Sequence, residues 1–251
     1  MKLHILPTAQ DAAKAAADHI AGKVKGGLIR VLGLATGRTP IVLYQRLVDH
    51  VAKGKLDLRR IDSFNLDEYV GLRAEDPCSF HAYMQQHLFS HAPLKHSYLP
   101  DGEAEDLFAE CDRYEREISN AGGIDLQLLG IGQNGHIGFN EPQSAHDSRT
   151  RPVTLNAMTR AANQSDFPGG RTVPKRALTM GIGTILEARA IVLLATGAAK
   201  APALKAALQG LVSLECPASA LQAHADLTVF ADAEAASRLD SALAAGPKRD
   251  A

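Results

Sequence analysis

Apolar residues along this chain follow two patterns in turn: short uninterrupted runs, and longer stretches in which they recur every three or four positions. Thr8 or Asp11 is placed to cap an alanine-rich amphipathic helix that continues to about Val24 and stops before Gly26-Gly27. Leu28 to Leu34 is an apolar run interrupted only by Arg30, as expected of a strand covered on both faces. It ends in Ala35-Thr36-Gly37-Arg38-Thr39-Pro40. Behind that proline, suited to a helix first turn, Ile41, Leu43, Leu47, Val48 and Val51 recur at roughly helical spacing.

The alternation continues. Arg60 to Leu66, Asp125 to Ile131, Ala190 to Ala195 and Leu227 to Phe230 read as strands, and Ser79 to Phe89, Glu105 to Asn120 and Lys200 to Leu208 as helices. Strands alternating with helices predict an α/β fold: a three-layer, Rossmann-like, open and mostly parallel sheet with helices on both faces. No low-complexity linker or shift in composition divides the chain, so residues 1–251 are expected to form a single domain, with Ala245 to Ala251 a frayed tail.

In such sheets ligands bind outside the carboxyl ends of the strands, and four polar features of this sequence fall there. The first is Thr36 to Thr39. The second is Asp67-Glu68, which follows a mostly apolar strand. The third is the loop Gly132 to Glu141, and the fourth is Lys200, at a helix start after Gly197. The loop Gly130-x-Gly132-x-x-Gly135 formally satisfies a dinucleotide-binding fingerprint, but it does not open into a helix. Pro142 follows shortly, and the nearest acid at the right spacing, Asp147, lies in a polar stretch.

Composition narrows the chemistry. The chain is 45% hydrophobic and 22% charged with a formal net charge of −1, and no basic block marks a nucleic-acid surface. No apolar stretch is long enough for a membrane span and the N-terminus is unlike a signal peptide, so a cytoplasmic location is the default expectation. Cys78, Cys111 and Cys216 are far apart and without ligand spacing, which predicts reduced, structural thiols. His87 and His91 lack the glutamate of a zincin motif, and no metal is expected. No G-x-S-x-G elbow supports a serine nucleophile. The sequence contains nothing that sets an oligomeric state.

The remaining candidates suit acid–base chemistry on an anionic ligand. Thr36-Gly37-Arg38-Thr39 joins a strand to a helix N-terminus and offers N–H groups and hydroxyls to a phosphate, without the Walker ending of an ATP site. A partly desolvated carboxylate at Asp67 would be basic enough to abstract a proton, and His136 could be oriented by Glu141 as an acid–base group. The bland alternatives are a capped turn, a solvated acidic pair and a structural histidine.

Four strings decide between these readings. FNLDEYVGL from Phe64, SFHAYMQQHLF from Ser79, GIGQNGHIGFNEP from Gly130 and VPKRALTMGIGTI from Val173 resemble, in order and over nearly the whole chain, the glucosamine-6-phosphate deaminase family. The resemblance implies an aldose–ketose isomerising deaminase of amino-sugar catabolism that needs no redox cofactor. Its expected ligand is a small amino sugar phosphate. It further implies His136 as the group assisting ring opening, Glu141 and Asn134 as its tuning partners, and Asp67 as the base at C2. Thr36, Gly37, Arg38, Thr39, Gly135 and Lys200 would hold the substrate and its phosphate.

Two departures stand out. Some family members have aspartate where this chain has Asn134, and the family's phosphate arginine corresponds here to Ser165, leaving Arg38, Arg171 or Lys175 to replace it. Members activated by N-acetylglucosamine 6-phosphate use a basic pair where this chain has Arg151 and Val153, and a longer C-terminus, so no such activation is expected, and a dose series of that ligand should produce no sigmoidal-to-hyperbolic shift. The competing expectations are a 6-phosphogluconolactonase-like hydrolase, whose loop has a different continuation after the histidine, and a non-catalytic sugar-phosphate sensor. Thr159 to Val173, polar and glycine-containing, is the expected mobile segment.

Overall fold

Seven strands form an all-parallel sheet in the computed structural model, which describes residues 1–240; the expected frayed tail, Ala245 to Ala251, lies outside them. In chain order these strands are β1 (Lys2–Leu6), β2 (Val31–Leu34), β3 (Asp62–Asn65), β5 (His96–Tyr98), β6 (Leu126–Gly130), β9 (Ala190–Ala195) and β10 (Leu227–Asp232). A second, three-stranded antiparallel sheet contains β4 (Asp67–Tyr69), β7 (Arg151–Thr154) and β8 (Arg176–Thr179). Every residue of β9 and β10 is buried, which requires cover on both faces of the main sheet. The helices α1 (Ala9–Lys25), α2 (Ile41–Ala52), α3 (Phe80–Met84), α4 (Leu107–Asn120), α5 (Ala157–Asn163), α6 (Ile182–Leu186) and α7 (Ala201–Gln209) pack around the sheets.

Local chemistry places the boundaries. Thr8 caps α1 by accepting from the Asp11 N–H, and the helix buries Ala12, Ala13, Ala16, Ala17 and Ala21, small side chains that let its backbone approach the sheet. Asp106 caps α4 through two N–H groups. The strand expected from Leu28 begins only at Val31: the Asp125 carboxylate takes the N–H groups of Arg30 and Val31, and Leu28 is 68% exposed. The helix expected over Ser79 to Phe89 is continuous but changes at Met84 from α to a π-helical turn, Gln85–Phe89. All three cysteines are buried and free. No helix among the described residues is long and apolar enough to cross a membrane.

The strand order, β1-β10-β9-β6-β2-β3-β5, locates the site. From β2 the chain proceeds outward through β3 to β5, whereas from β6 it proceeds the opposite way through β9 to β10. This reversal leaves a crevice at the carboxyl ends of β2 and β6, the place where open α/β sheets bind ligands.

Candidate active site

The loop after β2 and the loop after β6 face each other across a cleft of about 350 Å³. Thr36, Gly37, Arg38, Thr39, Asp67, His136 and Lys200 all line it. Asn134 and Glu141 stand behind His136. Gly135 does not reach the cleft: it has a positive φ of 82° and faces Cys216, whose Sγ would lie 2.6 Å from a Cβ at this position.

Asp67 sits where the chain passes from one sheet to the other. Leu66 donates its N–H to Leu34 O at 3.0 Å and accepts from Met180 N at 2.6 Å, so the residue before Asp67 is bonded to both sheets. Asp67 is only 5% exposed. Burial, then the charge of adjacent Glu68, push its carboxyl up to about 8, against the Thr36 hydroxyl, which lowers it. Gly138, at a positive φ of 56°, lies beside it: a Cβ there would touch Asp67 Oδ2 at 3.5 Å and crowd Thr179 Oγ1 at 3.0 Å.

His136 is the end of a side-chain relay. Its Nδ1 lies 2.7 Å from Asn134 Oδ1, and Asn134 Nδ2 donates to Glu141 Oε2 at 2.7 Å. The direction of the amide follows from its partners, because the Glu141 carboxylate can only accept and the His136 backbone N–H, 3.3 Å from Asn134 Oδ1, can only donate. The proton of the neutral imidazole is therefore on Nδ1, and Nε2 keeps its lone pair. Burial lowers the His136 pKa below the ordinary value; Glu141 opposes this and Lys200 adds to it, so the ring is neutral near pH 7. Thr159, on α5, donates its hydroxyl to the other oxygen of Glu141 and completes the relay. Gly132 makes the ring position possible, since a Cβ there would overlap Cε1, Nδ1 and Nε2 of His136.

The cleft lining also carries two cationic side chains, Lys200 and Arg38. Lys200 is half-buried, and burial alone depresses its ammonium, with no carboxylate pairing among the described residues. Asp232 positions its turn, both carboxylate oxygens accepting from Gly197 N at 3.0 Å. Arg38 reaches the end of α5 and the turn after it, donating to Ala162 O at 3.2 Å and Ser165 Oγ at 2.5 Å, with Asp166 3.7 Å away. Of the three cations able to replace an arginine at 165, it is the one that lines the cleft. Arg171 is paired with Asp76 at 2.5 Å, and Lys175 is exposed outside the lining.

Several lining residues were not singled out by the sequence reading. Tyr69, Phe80, Phe139 and Phe167 form a wall of aromatic pairs with centroids 4.7 to 5.8 Å apart. Asn163 donates to Tyr69 Oη at 2.9 Å, which seats the expected mobile segment against this wall. Tyr83 and His87, four residues apart, pack with tilted rings, centroids 4.5 Å apart, and Tyr83 Oη donates to Gly37 O at 2.6 Å. Their spacing on one helix face was the available signal.

Comparison with known proteins agrees with this geometry. The family described as glucosamine-6-phosphate isomerases/6-phosphogluconolactonase matches residues 7–230. A glucosamine-6-phosphate deaminase of Bacillus velezensis is 50% identical over 229 residues, covering 90% of this chain and 95% of that protein. Glucosamine-6-phosphate deaminase 1 of Bacillus subtilis is 48% identical, covering 94% and 99%. Among solved structures, a monomeric glucosamine-6-phosphate deaminase superposes with a TM-score of 0.91 at 47% identity, over 95% of this chain and 100% of the other. The 6-phosphogluconolactonase of Trypanosoma cruzi, at 21% identity and a TM-score of 0.76 over 95% and 96%, shares the fold.

Proposed function

Because the chain belongs to the glucosamine-6-phosphate isomerase/6-phosphogluconolactonase family, we propose that its cleft converts glucosamine 6-phosphate and water into fructose 6-phosphate and ammonia. The observation that carries this reading is the pairing, in one cleft, of a buried high-pKa carboxylate with an imidazole held in a single tautomer. Ring opening requires the proton of the C1 hydroxyl to be removed and one to be delivered to the ring oxygen. Nε2 of His136 takes the first and returns it to the second. Asp67 then removes the proton from C2 of the open aldehyde; the electron pair forms a C1–C2 double bond, and the carbonyl oxygen of C1 takes a proton from water to give an enolamine. Asp67 returns its proton to C1, which regenerates the base and leaves an iminium at C2; water hydrolyses it with loss of ammonia and of the proton taken up at the C1 oxygen. C1 is reduced as C2 is oxidised, so the electrons balance within the substrate and no redox cofactor is called for.

Lys200, the Thr36–Thr39 loop and Arg38 hold the phosphate, and that remote binding energy fixes C1 and C2 against Asp67. Arg38→Ala is expected to raise KM roughly tenfold or more, the weight of one charge-assisted hydrogen bond, with kcat changed much less. Steady-state kinetics at two fixed pH values check this, and an unchanged KM removes Arg38 from the phosphate site.

The function itself is tested by incubating the purified protein with glucosamine 6-phosphate, galactosamine 6-phosphate and 6-phosphogluconolactone. Ammonia from glucosamine 6-phosphate supports the proposal. Ammonia from the galactosamine epimer alone redirects it, acid from the lactone alone replaces it with a hydrolase, and binding without turnover replaces it with a sensor.

A further inference from the structure

Glu68 is 3% exposed, and no cation partners its carboxylate among the described residues. Acids are rarely buried in this way without compensation. The compensation here is a set of backbone N–H groups: Oε1 accepts from Tyr69 at 2.8 Å and Phe80 at 2.9 Å, and Oε2 from His81 at 2.9 Å. Phe80 and His81 open α3, and the next free N–H, that of Ala82, is taken by Ser79 Oγ at 3.0 Å. The first turn of α3 is thus fully satisfied, two of its donors by a residue from another element. One turn further, Tyr83 grips the Gly37 carbonyl at 2.6 Å, and Phe80 packs on Tyr69 at 4.7 Å.

We propose that Glu68 is a positioning residue for the deamination: by seating the start of α3 on the strand that holds Asp67, it sets the distance between the base and the phosphate loop gripped by Tyr83. Asp67 and Glu68 are consecutive on β4 and so point to opposite faces, one to the cleft and one to the helix. A single short strand therefore fixes both the reacting end and the anchoring end of the site. The proposal rests on the deaminase reading of the cleft.

The same carboxylate acts on the base electrostatically. Burial raises Glu68 to about 7 against the pull of the three N–H donors, and a charge on Glu68 raises Asp67 in turn. The other titratable groups around the pair are Asp76 beside Glu68, and Tyr69, Tyr44 and Tyr114 beside Asp67. Arg38, His87, His136, Asp166 and Lys200 share the cleft.

The test uses Glu68→Gln and Tyr83→Phe in the full chain. Wild-type ammonia release, measured first, judges the deaminase reading alone; the variants, measured relative to it, judge Glu68. Glu68→Gln is expected to lower kcat/KM on the order of 100-fold, the scale of a small misplacement, and to shift the acidic limb of its pH profile downward, because the anion beside Asp67 is gone. Tyr83→Phe is expected to raise KM roughly 3- to 10-fold for one lost hydrogen bond, with the limb unmoved. A Glu68→Gln enzyme within threefold of wild type, or one whose limb stays in place, overturns the proposal. A wild-type KM in Tyr83→Phe overturns it as well, and that variant decides the matter alone if Glu68→Gln does not fold.

Discussion

Asp67→Asn is expected to abolish ammonia release, by about 1,000-fold or more, while making the protein harder to unfold at alkaline pH. The loss follows from the base role: an amide cannot accept the C2 proton, and a general base contributes on the order of 10²- to 10⁴-fold. The gain follows from linkage. The folded-state pKa of Asp67 is raised to about 8 from an ordinary 3.8, so the stability associated with its neutral form is complete below the ordinary value and is lost as pH rises through about 8. Asparagine suffers no such loss. Each pKa unit is worth about 1.4 kcal/mol, and a domain of this size moves roughly 2–4 °C per kcal/mol, so at pH 8.5 the variant is expected to melt at least about 5 °C higher. The two proteins should converge near pH 4. In wild type, kcat/KM is expected to climb through the same region near pH 8 as the base ionises. Thermal melts across pH and an ammonia assay check both halves. Robust turnover removes Asp67 from the base role, and equal melting at pH 8.5 removes the buried charge.

The second large effect is expected from a single methyl group. Gly132→Ala puts a Cβ into the space of the His136 imidazole, and the ring must swing away, breaking its 2.7 Å contact with Asn134 Oδ1. Tautomer and position are lost together. Turnover of the closed sugar is expected to fall roughly 100- to 1,000-fold, as for a misplaced acid–base group. Phosphate recognition should survive, because Lys200 and the Thr36–Thr39 loop come from other elements. Titration with an open-chain amino alditol phosphate is therefore expected to give an affinity within about threefold of wild type. Retained turnover would show that the ring position is not needed, and lost analogue affinity would show that the whole loop has moved.

What could be read from the sequence was what depends on local pattern. The long buried strands and the capped helices announce themselves by period and composition, and β9 was delimited to the residue. The site-bearing loops could be read because strand ends followed by glycines and titratable residues have few other uses. The small antiparallel sheet could not: β4 is three residues long, and its partner for Asp67 is Thr179, more than a hundred positions away. β1 was missed because it is an edge strand with a mostly exposed pattern. The partners Thr159, Tyr83 and Asn163 act through hydrogen bonds that only the folded chain assembles. The departure at Ser165 was visible, but its consequence was not, since only the fold brings Arg38 from the opposite wall to that position.

The amide between His136 and Glu141 also decides where a proton can travel. A carboxylate at position 134 would offer the imidazolium a place to leave its proton. Asn134, locked with its NH₂ towards Glu141, can neither take that proton nor pass it on. In the proposed mechanism His136 would thereby be a shuttle rather than a sink: a hydrogen lifted from the sugar hydroxyl would have its exit on the cleft side only, and the relay behind the ring would end each turnover in the charge state in which it began.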